Sequence, residues 1–74
     1  MAEQPEDLKK LVAVATDLGL SAELRAKAIK LIGNVSSHDA LLALLSLAAN
    51  GRLTKGEREL AIKHAREIIK SEHY

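Results

Sequence analysis

The chain has no cysteine, phenylalanine or tryptophan, one tyrosine (Tyr74) and one proline (Pro5). Without cysteine there is no disulfide framework, no thiolate nucleophile and no Cys-ligated metal site. Base-stacking platforms, aromatic cages and sugar-binding faces need aromatic rings that this chain does not carry. A long apolar run is also missing. The longest, Ala40 to Ala49, is broken by Ser46, whereas a membrane-spanning helix needs about 20 residues, so no membrane association is expected. An excess of one charge is absent too: eleven basic and ten acidic side chains leave a formal +1, which points away from a polyanionic partner. The acidic, polar start (Met-Ala-Glu-Gln-Pro-Glu-Asp) does not read as a secretory signal. With the lack of cysteine it gives a cytoplasmic expectation.

Helical punctuation and periodicity are what the sequence does contain. It reads as one all-α domain over residues 1–74, four helices arranged as two similar antiparallel hairpins, about 5–33 and about 36–71. Helix one is expected from Pro5, which suits a first helical turn, to about Leu18. Its apolar stripe is Leu8, Leu11, Val12, Ala15 and Leu18, and Gly19 is read as a left-handed stop. Helix two follows Ser21 as N-cap, with Leu24, Ala28, Leu31 and Ile32 inward and Gly33-Asn34 as its end. Helix three starts after Ser36 or Ser37 and runs to Asn50, with Gly51 terminating it. It is apolar nearly all round, the mark of a buried helix or of one that meets a partner, and is expected to sit innermost. Thr54 and Glu57 form a capping box for helix four, which runs to about Ser71 with Ala61, Ile62, Ala65, Ile68 and Ile69 on its apolar side.

A shift of 33 residues matches the chain to itself. Leu8 pairs with Leu41, Leu11 with Leu44, Ala15 with Ala48 and Leu20 with Leu53. Arg25 pairs with Arg58, Ala28 with Ala61, Ile29 with Ile62 and Lys30 with Lys63. Caps repeat as well as core positions, since Ser21 matches Thr54. A helical hairpin repeated in tandem cannot bury its apolar face alone and stacks on its neighbour. With leucine-rich first helices and an Ala-Ile-Lys core in the second, residues 8 to 66 resemble the α-helical hairpin repeats of HEAT and armadillo type. That resemblance implies a protein-binding scaffold, and the fold would be a compact bundle or a short α-hairpin array.

Candidate chemistry is sparse. Ser37-His38-Asp39 contains the residue types of a catalytic triad, but neighbours at a helix start point about 100° apart and cannot converge as a relay does; Ser37 reads instead as an N-cap. His64 and His73 are nine residues apart with no third ligand at metal-binding spacing. Neither a catalytic residue, a cofactor site nor a metal site is assigned, and the chain is expected not to be an enzyme. Arg25 and Arg58 each follow, by five residues, the leucine before a helix cap, where an arginine stem packs as part of a hydrophobic staple or anchors an acidic partner. Val14, Ile29, Leu42, Leu47 and Ile62 lie off the apolar stripes. With Arg25, Arg58 and the boundary residue His64 they form the candidate contacts to a protein partner or to a second copy of the chain.

Two other readings compete with an interaction module. Clean caps and Ala/Leu/Ile cores also suit an engineered or de novo helical protein, or a redesigned scaffold. Weak nucleic-acid binding would use Arg52, Lys55, Arg58, Lys63, Arg66 and Lys70 on phosphates. However, Glu57, Glu59, Glu67 and Glu72 are interleaved among them, and a leucine-covered helix three cannot read base edges.

Overall fold

Hydroxyl side chains set three of the helix starts. Ser21 Oγ accepts from Leu24 N at 3.2 Å and Ser37 Oγ from Ala40 N at 3.0 Å. At the third start, Thr54 Oγ1 accepts from Glu57 N at 3.1 Å while Glu57 Oε1 accepts from Thr54 N at 3.0 Å. Each bond satisfies an N–H that the helix itself leaves open. In the computed structural model, which describes the backbone of residues 5–72 and the side chains of residues 7–71, they introduce α2 (Ala22–Val35), α3 (His38–Ala48) and α4 (Lys55–Glu72). α1 spans Pro5–Ala15. No strand occurs among the described residues. The chain's first four residues, His73 and Tyr74 lie outside them.

The helix ends depart from expectation, and for one shared reason. None of the described glycines has a positive φ, and the single left-handed residue is Ser36 at φ 58°. α1 stops at Ala15, short of Leu18. Thr16 turns its hydroxyl back to Val12 O at 2.9 Å, and Asp17 Oδ1 accepts from Gly19 N at 2.9 Å. That is a side-chain turn in place of a glycine stop. α3 ends at Ala48, with Ala49 capping it in right-handed geometry rather than Gly51. α2 runs straight through Gly33-Asn34 to Val35.

Gly33 serves a different need. A Cβ placed there would stand 2.6 Å from His64 Nδ1, 2.8 Å from His64 Cγ and 2.9 Å from His64 Cβ. Glycine is what lets α2 and α4 approach this closely.

The strongest packing is α3 on α4 and α1 on α2, so each short connection folds a helix back onto its predecessor. α2 and α4 pack nearly as closely, while α1 barely touches α3. The central helix is therefore α2, which meets all three others, and not α3. α3 keeps Leu42 (52% exposed) and Leu45 at the surface in spite of its composition. α2 is also rotated from the expected face: Leu24 and Leu31 are exposed, and Arg25 and Ile29 are buried with Ala28 and Ile32. The buried set spans about 100° of the helix, as the expected stripe does, but is turned by roughly 60° so that the side carrying Arg25 and Ile29 faces inward. Leu18, expected in the first stripe, is exposed in the turn after α1. The core joins Leu8 and Ala15 of α1 to Ala40, Leu41, Leu44 and Leu47 of α3, and to Ala61, Ala65 and Ile68 of α4.

Helix starts obey the 33-residue offset: Pro5 and His38, Ala22 and Lys55.

Gly33→Ala should lower stability by about 1–2 kcal/mol, because overpacking at the contact exceeds the roughly 1 kcal/mol of helix propensity that alanine adds. His64→Ala in the same chain should restore part of the loss by removing the Nδ1 and Cγ contacts. Urea denaturation of the single and double variants measures both effects.

Candidate functional site

Arg25 and Glu57 meet where the two hairpins join. Arg25 Nε lies 2.9 Å from Glu57 Oε2, and the two side chains are 10% and 5% exposed. Arg25 Nη1 also donates to Leu20 O at 2.9 Å and to Asp17 O at 3.4 Å. The other carboxylate oxygen of Glu57 is taken by Thr54 N. One buried guanidinium thus ties the α1–α2 turn to the first turn of α4, with both carboxylate oxygens engaged. Charges can be held out of water only when paired and hydrogen-bonded in this manner. Burial pushes the Glu57 carboxyl up, but the Thr54 N–H and the Arg25 guanidinium outweigh it and hold the group below its ordinary 4.5. The capping role of Glu57 is legible from Thr54-x-x-Glu57; its second role as counter-ion to Arg25 is not, because the two residues are far apart in the chain.

A second contact lies further along the same pair of helices, where His64 closes over Gly33. Its imidazole is held below the ordinary 6.5 by burial, helped by Lys63 and Lys30 and opposed by Glu67. Arg25 meets Glu57 and Gly33 meets His64, so both helices advance in the same direction and α2 and α4 run parallel.

The candidate contact residues fall into two groups. Arg25, Ile29 (0% exposed) and Leu47 (2%) are part of the folded core and offer no surface to a partner. Ile29 and Leu47, expected off the stripes, lie inside because the buried face of a helix is set by which neighbours pack on it. His64 is half-buried against α2. Val14, Leu42 and Ile62 are exposed, and Arg58 is half-buried. Leu24, Leu31, Leu45 and Ile69 join them at the surface, although the sequence placed Leu24, Leu31 and Ile69 inside.

The 33-residue equivalence orders this surface into two ends. Val14, Leu24 and Leu31 correspond to Leu47, Glu57 and His64, which in the second hairpin are turned into the fold. Ile62 and Arg58 correspond to Ile29 and Arg25, which in the first hairpin are covered by α4. Val14, Leu24, Leu31 and Ile62 are therefore residues that the internal junction would cover if it had a copy on either side, whereas Leu42 and Ile69 match the exposed Lys9 and Ser36. Between α1 and α3 there is also an open groove of about 320 Å³, lined by Leu8, Val12 and Ala43 with Lys9 and Asp39. Its floor is apolar, and among the described residues Lys9 and Asp39 are the charged groups that line it.

Ser37 is occupied as the N-cap of α3, so the Ser37-His38-Asp39 run does not form a relay. Among the described residues no cluster of three or more His, Cys, Asp or Glu side chains is placed to hold a metal ion, and no helix is long and apolar enough to cross a membrane. Compared with known protein families, with curated proteins and with solved structures, the chain matches none.

Removing one partner of a buried ion pair strands the other. Arg25→Met should therefore cost about 3–5 kcal/mol, and Arg25→Met with Glu57→Leu should recover most of that apart from about 1 kcal/mol for the lost cap. Chemical denaturation of the three variants closes this cycle, and additive losses would show that the pair is not coupled.

Both shifted groups bind a proton more readily in the unfolded chain, so both contributions are complete at high pH and are lost on acidification. Stability should decline first as pH falls below 6.5 through His64, then again below 4.5 through Glu57. Urea midpoints measured from pH 8 to pH 3 should show the upper decline disappear in His64→Gln and the lower one shrink in Glu57→Gln.

Proposed function

We propose that the chain is a non-enzymatic helical scaffold that binds a protein partner through its apolar helix faces, in the manner implied by its resemblance to HEAT-type hairpin repeats. One observation carries this reading. Large apolar side chains stand exposed at positions whose repeat equivalents are buried by helix packing, as Ile62 (38% exposed) does against Ile29. Isolated exposed apolar residues are ordinary on any surface. Here Val14, Leu24, Leu31 and Ile62 each match a buried or half-buried residue of the other hairpin (Leu47, Glu57, His64 and Ile29), and Leu42, Leu45 and Ile69 add exposed apolar surface on the second hairpin. The site chemistry is compatible with the same reading: the buried Arg25–Glu57 pair is engaged in holding the hairpins together.

Self-association is tested alongside. Light scattering over a dilution series should give the monomer mass at low and high concentration if the faces serve a different protein. Leu42→Lys with Ile62→Lys should change stability by about 1 kcal/mol or less, since both positions are at the surface. The same double variant should lose proteins that the unsubstituted chain retains in affinity capture from a lysate. Identical retained sets would sink the reading.

A further inference from the structure

The outer face of α4 has a basic and apolar composition with a definite model inside the same molecule. Lys55, Arg58, Ile62, Arg66 and Ile69 fall within an arc of about 80° on the helix, and no acidic residue shares that arc. Their equivalents in the first hairpin are Ala22, Arg25, Ile29, Gly33 and Ser36. The middle three lie on the face that α4 covers, with Glu57 on Arg25 and His64 on Gly33, while Ala22 and Ser36 at its two ends are exposed. Arg58 is the repeat equivalent of a guanidinium that has a carboxylate. Its own Nε is buried and has no hydrogen-bond partner among the described residues. A buried donor left without an acceptor is costly; the half-buried Arg58 side chain has that cost to regain by turning outward to a carboxylate, and the first hairpin shows the kind of acceptor that an arginine at this position takes.

We infer that the outer face of α4 docks an acidic helix of a protein partner, with a carboxylate of that helix seated on Arg58 as Glu57 is seated on Arg25. This rests on the interaction-module reading above. The partner helix runs parallel to α4, as α4 does to α2. It carries Asp or Glu where α4 has Glu57, and a small residue one turn on, where α4 has Ala61 against the isoleucine. At the next contact α2 offers Gly33, whereas α4 offers Arg66, so the position matching His64 is a second carboxylate.

A second copy of this chain does not fit that description. Its open face presents Leu24 and Leu31 where Glu57 and His64 stand, and Lys27 and Lys30 line the shallow cleft beside Leu31. Stacking copies end to end would place those lysines near Lys55, Arg58 and Arg66 and leave Arg58 without a carboxylate. Like charges across an interface oppose association.

The test is selection of displayed helices against the intact protein. The library is the segment 52–71 of this chain, randomised at positions 57, 61 and 64 and carrying Ile62→Lys to disable its own outer face. Selected peptides should hold Asp or Glu at 57 and 64 and a small residue at 61. Their affinity should fall at least about tenfold for protein carrying Arg58→Gln or, separately, the exposed change Arg66→Glu, as truncating a charged contact does. Lys9→Gln, on the far hairpin, should leave binding unchanged, and circular dichroism should show unaltered helix content in all three. Peptides without acidic preference, or indifferent to both arginine changes, would overturn the inference while leaving the interaction module standing. Failure to select any peptide would overturn the inference, whereas the interaction module falls only if affinity capture also retains nothing that Leu42→Lys with Ile62→Lys loses. A concentration-dependent dimer abolished by Ile62→Lys would make the occupant a second copy, and would also overturn it.

Discussion

The Arg25–Glu57 pair is the constraint on which the arrangement of the two hairpins depends. Apolar packing between α2 and α4 is non-directional and would tolerate sliding by a turn. A guanidinium whose Nε must reach one carboxylate oxygen, while its Nη1 reaches Leu20 O, tolerates far less. Desolvating both ions offsets much of their attraction, so the pair contributes more to register than to net stability. The second fixed point, His64 over Gly33, lies two turns along. Two points determine both the offset and the parallel sense of the helices, and every other contact between the hairpins follows from them.

Glu57 carries two duties with two oxygens. One closes the helix cap and the other neutralises Arg25, so the start of α4 cannot fray without exposing a buried cation. Local and long-range structure are therefore coupled through one side chain. The first hairpin has no such double contact: Leu24 stands where Glu57 does and is exposed.

Much of this was legible in the sequence, and the rest failed for identifiable reasons. Ser21, Ser37 and the Thr54–Glu57 box declare themselves because a cap is a local interaction, settled within four residues. Helix number, the all-α class and the hairpin offset follow from the same local signals. Burial did not, because it depends on how many neighbours a helix has. On α2 the stripe Leu24, Ala28, Leu31 and Ile32 shares only Ala28 and Ile32 with the buried face, because α4 packs on the side that carries Arg25 and leaves Leu24 and Leu31 outside. Composition made α3 look central, but position in the array decides that, and the middle place belongs to α2. Glycine misled for a related reason: Gly33 was read for its backbone freedom, whereas its missing side chain is what matters.

Comparing the two copies of the hairpin separates what holds the fold from what is available to a partner. Positions that agree, such as Ala28 with Ala61 and Leu8 with Leu41, are buried in both and serve packing within each hairpin. The informative positions are those with the same residue and different burial. Ile29 and Ile62 are identical in type, yet one is sealed under α4 and the other stands at the surface. Arg25 and Arg58 repeat the contrast, with the Nε of the first paired and that of the second open. Gly33 against Arg66 breaks the identity where a third stacked hairpin of the same kind would need the closest approach. An end that keeps the arginine and isoleucine of the internal junction but replaces its glycine does not repeat the close approach that Gly33 gives His64. The two ends of the α2–α4 arrangement thus differ most at one position, Arg66.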